Sequence, residues 1–236
     1  MSTRWKASHE FATPIPYGSG PTAYATIGVT LVLKGQQIVQ ADHEFATDDG
    51  LSEGEVAGIS REALGVVFEL LTYLSGQTTR GGKIVLEPLQ VGVPAAQTTM
   101  LFALPGTARI VTPTRLPAEN QLLADQRLRT WLNLANEARR PASDVDAIRN
   151  YYMIWEDMFG RPQKGSGAAE ELKFVRDFVS HGSVGNSDLL SFLNRELGPG
   201  PTPRPYEPLN PAHQTFLTTR REWARGLVEG EINKRL

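Results

Sequence analysis

The chain of 236 residues has no cysteine. This excludes a disulfide framework, a cysteine-ligated zinc site and a thiol nucleophile. Histidine is nearly as scarce, with His9, His43, His181 and His213 as the full set. A metal or acid–base site built on imidazole must draw on those four. An excess of charge of either sign is also lacking. Lys and Arg number 24 against 26 Asp and Glu, a net charge of −2, so broad electrostatic coating of nucleic acid is not expected. No run approaches the roughly 18 apolar residues that span a bilayer, and the first 20 residues hold no continuous apolar stretch of signal-peptide type. A cytoplasmic protein without membrane association is the expectation, since nothing here requires an oxidising compartment. What is present is an apolar fraction of 40%, enough for a packed globular fold.

The expected fold class is α+β, in two domains. Residues 1–114 read as an N-terminal α+β domain, a small mixed or antiparallel sheet with one helix, preceded by an irregular arm over 1–22. Pro14, Pro16, Gly18, Gly20 and Pro21 argue against a regular element in that arm. From Thr26 the apolar residues Ile27, Val29, Leu31 and Leu33 alternate as in a half-buried strand. Lys34-Gly35 offers a turn, and Gln36–Phe45 returns as the second strand of a hairpin. Ser52 and Glu55 have capping-box spacing. A helical stripe runs from Val56 to Leu74, with Gly76 placed to end it. Three short apolar runs follow, Lys83–Val91, Thr98–Leu104 and Ala108–Thr112, and Pro88 marks the first as an edge or bulged strand.

Residues 115–236 read as all-helical. The pattern predicts a helix from Pro117 to about Arg139 and, after Pro141, one from a Ser143 cap to Met158 or Phe159. A third helix is expected over Ala168–Ser180 with Gly182 beyond it. A short fourth, capped by Asn186 or Ser187, is closed by Gly198. The proline-rich segment Gly198–Pro211 favours a stiff polyproline-like surface connection. Asn210 and Pro211 then start the last helix as N-cap and first helical residue.

The stretch Arg176-Asp177-Phe178-Val179-Ser180-His181 carries the chemistry. Five residues on an ideal helix turn through ~500°, leaving Arg176 and His181 about 140° apart. The two converge only if His181 sits past the last regular turn. Arginine offers a permanent planar charge to phosphate oxygens. Histidine moves protons near neutral pH. Such a pair can assist attack of an RNA 2′-hydroxyl on its own phosphodiester without a metal. Asp177, poorly placed for the helix dipole, is the group to orient one of them.

This stretch resembles the Arg-x(4–6)-His signature of HEPN domains, which carry a polar residue after the arginine. The resemblance covers about 115–236. It implies a helical bundle and a metal-independent endoribonuclease in which two copies of the signature meet across a homodimer. Arg176, Asp177 and His181 would be the catalytic residues, with no cofactor and no metal. It further implies RNA as substrate and a toxin–antitoxin or anti-phage setting, with an antitoxin or defence-system protein as partner. The segment Arg149–Glu156 is also similar, more loosely, to the helix before that signature in uncharacterised proteins of methylamine-utilisation gene clusters.

Blander readings stand beside these. Arg176 and His181 also suit a helix C-terminus, where cations bond the last carbonyls, in a non-catalytic binding, dimerisation or accessory protein. Tyr151, Tyr152, Met153 and Trp155 could stack on RNA, but Tyr151, Ile154, Trp155 and Met158 also have core spacing. Arg139-Arg140 and Arg220-Arg221 suit solvated faces or ion pairs. His213 is expected to be exposed, His9 to lie in the arm, and His43 to end a strand between Asp42 and Glu44.

Overall fold

A computed structural model describes residues 2–76, 82–89, 98–102, 114–140, 143–181, 183–202 and 204–236. The predicted strand Ala108–Thr112, the ends of the two before it, Pro141 and Gly182 lie outside the described residues. The chain forms two compact units, Met1–Leu132 with Leu236, and Asn133–Arg235. The divide falls later than the expected boundary at 114, inside a helix.

The first unit is built on an antiparallel sheet. Its strands are β1 (Ser2–Ser19), β2 (Ala23–Tyr24), β3 (Val29–Leu33), β4 (Gln37–Asp48), β5 (Gly82–Pro88), β6 (Thr98–Phe102) and β7 (Thr114–Arg115). They lie in the order β2-β3-β4-β1-β5-β6, with β7 parallel to the end of β1. The expected irregular arm is therefore corrected: residues 2–19 form the central strand. Trp5 pairs with Phe45 on one side and Pro88 on the other. Residues 7, 9 and 11 are buried at period two, an alternation that the histidine and the later prolines obscure. The prolines are accommodated because the pairing to β4 shifts register between Glu10 and Ile15, and the pairing to β5 stops at Phe11. β5 is likewise internal, between β1 and β6, with Pro88 as its last residue. At Gly82 a Cβ would come 1.9 Å from the Glu10 carbonyl oxygen, so this close approach of strands needs glycine.

The single expected helix after β4 is two, α1 (Glu53–Ala63) and α2 (Gly65–Ser75), interrupted at Leu64. The capping box forms as its spacing predicts: the Ser52 amide donates to Glu55 at 2.8 Å and the Glu55 amide to Ser52 Oγ at 3.4 Å. Gly76 takes φ 68° to end α2. Ala7, Val56, Ala57, Ile84 and Leu86 pack together where α1 meets the sheet. The helix expected from Pro117 to Arg139 is also two, α3 (Glu119–Leu123) and α4 (Leu128–Arg139). Between them Asp125 accepts the Arg127 amide at 2.9 Å, a local bond that competes with the helical ladder.

The second unit holds α5 (Asp144–Phe159), α6 (Ala168–Ser180), β8 (Ser183–Val184), α7 (Ser187–Leu197), β9 (Arg204–Pro205) and α8 (Pro211–Asn233). The expected caps are present. Ser143 accepts the Asp146 amide, Asn186 accepts those of Asp188 and Leu189, and Asn210 accepts that of Ala212. Ile148, Val175, Phe178, Leu193, Phe216 and Leu217 are central to the core where α5, α6, α7 and α8 meet. The proline-rich connection is more than a surface strap. Its Arg204 is buried and donates to the carbonyls of Leu193 and Gly198, closing the end of α7.

Gly226 and Gly230 lie within the continuous helix α8, with open space where a Cβ would stand. Each is expected to stabilise the protein by about 0.5–1 kcal/mol on replacement by alanine. Urea titration of Gly226→Ala and Gly230→Ala checks this; a loss of stability in both would show a constraint on the helix backbone that the open space does not reveal.

Candidate functional site

Helix α6 ends as the spacing requires. Its last helical residue is Ser180, and His181 is the C-cap, with extended backbone at φ −108° and ψ 125°. The His181 amide still donates to the Asp177 carbonyl at 3.1 Å. Its side chain leaves the helical sweep and is 62% exposed.

Asp177 brings the three residues together. Its Oδ1 lies 3.1 Å from Arg176 Nη1 and 3.9 Å from His181 Nε2, and its Oδ2 lies 3.7 Å from Lys173 Nζ. The carboxylate thus pairs closely with the Arg176 guanidinium and has the Lys173 ammonium and the His181 imidazole within 4 Å, and the two cations offset its unfavourable place near a helix C-terminus. The Arg176 guanidinium lies over the Tyr152 ring, 4.1 Å from its centroid, so a fork that is normally mobile is fixed from two sides. Its Nε is buried with no hydrogen-bond partner in the protein.

Next to this group is a hollow of about 290 Å³, lined by Lys173, Phe174, Asp177, His181, Asn186 and Leu189 among others. Asn186 uses its Oδ1 as the α7 cap, which leaves its amide NH₂ as a donor. A further cation, Arg149, was not singled out by the sequence reading. Its Nη2 donates to the Val179 carbonyl at 3.2 Å and its Nε to Ser180 Oγ at 3.3 Å. It caps α6 beside His181. The available signal was the helix periodicity of α5 facing the end of α6, which needs the pairing of the two helices to be known.

Of the four residues offered for stacking on α5, Tyr151 and Tyr152 are buried and so unsuited to it, Trp155 is half-buried and Met153 is exposed. Three of the four paired arginines are engaged with carboxylates, Arg139 with Glu229, Arg220 with Glu171 and Glu196, and Arg221 with Asp144, and Arg140 is exposed. His213, expected to be exposed, is buried. It accepts the Glu207 amide on Nδ1 at 3.1 Å and stacks with Tyr206.

The first unit holds a polar cluster that sequence reasoning missed. His9 of β1 and His43 of β4 both meet Ser60 of α1, His9 Nε2 at 2.8 Å and His43 Nδ1 at 2.9 Å from its Oγ. All three are buried. A hydroxyl has one proton, so Ser60 donates to one imidazole and accepts from the other, with both rings neutral. Burial, the neighbouring His43 and Arg61 together push His9 down to about 4, and burial pushes His43 down as well. Among the described residues, no three metal-ligating side chains converge on a common point.

A pH dependence follows. The unfolded chain takes up the His9 proton below about 6.5, whereas the folded protein resists until about 4. This contribution to stability is full above 6.5 and is lost as pH falls towards 4, about 3 kcal/mol in all and about 2 kcal/mol by pH 5. Unfolding titrations at pH 7 and 5 on wild type and His9→Gln check it. The wild type should lose stability over this interval and the variant much less; equal slopes would remove His9 as the cause.

No described helix is long and apolar enough to cross a membrane. In comparisons with known proteins the chain matches no family model, no curated protein and no solved structure.

Proposed function

We propose that the second unit is an HEPN-like bundle acting as a metal-independent endoribonuclease. The observation that carries this reading is the arrangement around Asp177. Asp177 pairs with Arg176 at 3.1 Å and lies 3.9 Å from His181 Nε2, with the imidazole exposed at a helix end beside an open hollow. In the proposed reaction the RNA 2′-hydroxyl oxygen attacks the adjacent phosphorus and the bond to the 5′-oxygen breaks. One imidazole takes the hydroxyl proton and another returns a proton to the leaving oxygen. A symmetric homodimer supplies both from two copies of His181. Arg176 stabilises the extra charge on the phosphorane-like oxygens. The products are a 2′,3′-cyclic phosphate and a 5′-hydroxyl.

The test is cleavage of single-stranded RNA by the purified protein in excess EDTA, with end-group analysis of the fragments. Cyclic phosphate ends support the reading. Cleavage of an all-deoxy strand of the same sequence would overturn it, because the nucleophile would be missing. A cytoplasmic toxin or anti-phage role, restrained by a protein partner, belongs to the same proposal.

One observation favours a second reading, a non-catalytic binding or dimerisation module. The Arg176 side chain is 26% exposed, stacked on Tyr152 and ion-paired to Asp177, as a purely structural residue would be. In that case RNA stays intact while the protein still self-associates.

A further inference from the structure

The hollow beside His181 has an apolar wall and a set of polar groups. Phe174 of α6, Val184 of β8 and Leu189 of α7 supply the wall. Lys173, Asp177 and Asn186 supply polar groups, and these differ in what they have left to offer a ligand.

Asn186 spends Oδ1 on the amides of Asp188 and Leu189, at 3.0 and 3.1 Å. That fixes the plane of its amide and leaves both Nδ2 protons without a partner among the described residues. Lys173 Nζ makes no hydrogen bond among the described residues, and its ion pair with Asp177 Oδ2 spans 3.7 Å. Asp177 is the acceptor, but it is covered: its side chain is 17% exposed and Oδ1 is paired with Arg176 at 3.1 Å. Two available donors and one shielded acceptor therefore line the hollow together with a flat apolar surface.

Such a set suits a base that presents two adjacent acceptors on one edge. Guanine does so with O6 and N7, whereas adenine carries an amino donor beside N7. An adenine edge would set that amino group against donors and leave it unpaired. Cytosine also has two adjacent acceptors, but its single ring covers less of the wall than a purine does.

We propose that this hollow is a base subsite for guanine, with O6 and N7 accepting from Lys173 and Asn186 and the purine ring against Phe174, Val184 and Leu189. The proposal extends the ribonuclease reading and rests on it for one consequence: because His181 borders the same hollow, the cut falls next to guanosine.

The test uses the full chain and nucleosides, which carry no phosphate. Inosine has the O6 and N7 edge of guanosine, and adenosine differs from it at position 6, amino in place of carbonyl. Cytidine is the second control. NMR titration of the Phe174 and His181 rings at pH 7.5 should show inosine saturating with a dissociation constant on the order of 1 mM. Adenosine and cytidine should bind about tenfold more weakly or worse. Asn186→Asp keeps the cap of α7, since Asp and Asn cap equally well, and replaces a donating amide by an accepting carboxylate. It should melt as wild type does, and its preference for inosine over adenosine should fall by about fivefold or more. The proposal is overturned by inosine that does not saturate, by adenosine or cytidine binding as tightly as inosine, or by a preference unchanged in Asn186→Asp. Selective inosine binding by a protein that leaves RNA intact would remove the ribonuclease reading alone. Cleavage without preference for guanosine would remove the base subsite alone.

Discussion

Replacing His181 by alanine is expected to reduce metal-free RNA cleavage by about 10²–10⁴-fold, the usual contribution of a general acid or base. The side chain is exposed at the end of α6 and makes no core contact, so His181→Ala should melt within about 0.5 kcal/mol of wild type. That separation makes the result interpretable. Arg176→Lys provides the complementary measurement. Lysine keeps the charge but loses the planar fork and the stack on Tyr152, and its rate should fall substantially without a change in the nature of the fragment ends. Asp177→Asn keeps the shape and removes the charge that Arg176, Lys173 and His181 share. Full cleavage activity in His181→Ala would remove the histidine from the mechanism and favour the binding-module reading.

Glu229→Ala is expected to destabilise the second unit by about 3–5 kcal/mol, the range for breaking one side of a buried ion pair. Glu229 lies on α8 with its side chain 11% exposed, and Arg139, 14% exposed, donates to both of its oxygens at 2.7 Å. The Tyr151 hydroxyl donates to the same carboxylate at 3.2 Å, and Arg225 Nε reaches it at 3.4 Å. Burial and this carboxylate push the Tyr151 phenol well above its ordinary value, so it remains a donor throughout the accessible pH range. Alanine leaves a buried guanidinium and a buried hydroxyl without their main acceptor. Replacing both ends together, as Arg139→Met with Glu229→Leu, should recover much of the loss, because no charge is then stranded. Urea titration of the two variants measures both values. A single substitution costing under 1 kcal/mol would mean that water reaches the pair.

The helical half was legible because its punctuation is local. Ser143, Asn186 and Asn210 each sit at an N-cap with a side-chain acceptor, and α6 runs from Ala168 to Ser180 as its periodicity indicates. Such signals act within one turn. The first strand was not legible, because what makes residues 2–19 a strand is pairing to residues far along the chain. Pro14 and Pro16 then tell against a strand, although the register shift accommodates them. The breaks at Leu64 and at 124–127 reflect packing and a side-chain bond that compete with helix propensity. Of the candidate site, Arg176, Asp177 and His181 could be read from one short stretch. Tyr152 and Arg149 could not, because they reach it from another helix. The cluster of His9, Ser60 and His43 joins three elements, so neither local spacing nor composition marks it.

The central place of β1 has a consequence for biosynthesis. Strand β1 cannot be satisfied when it emerges from the ribosome, because both of its long partners lie later in the chain. Ala7 must await His43 on one side and Leu86 on the other. At roughly 5–20 residues per second, synthesis of the intervening chain takes several seconds. Both edges of β1 stay open until β4 is made and one stays open until β5 is made, a hazard for misassociation with neighbouring chains. Folding of the sheet is therefore tied to elongation past residue 88, and slow codons placed before that point would prolong exposure without letting the sheet form.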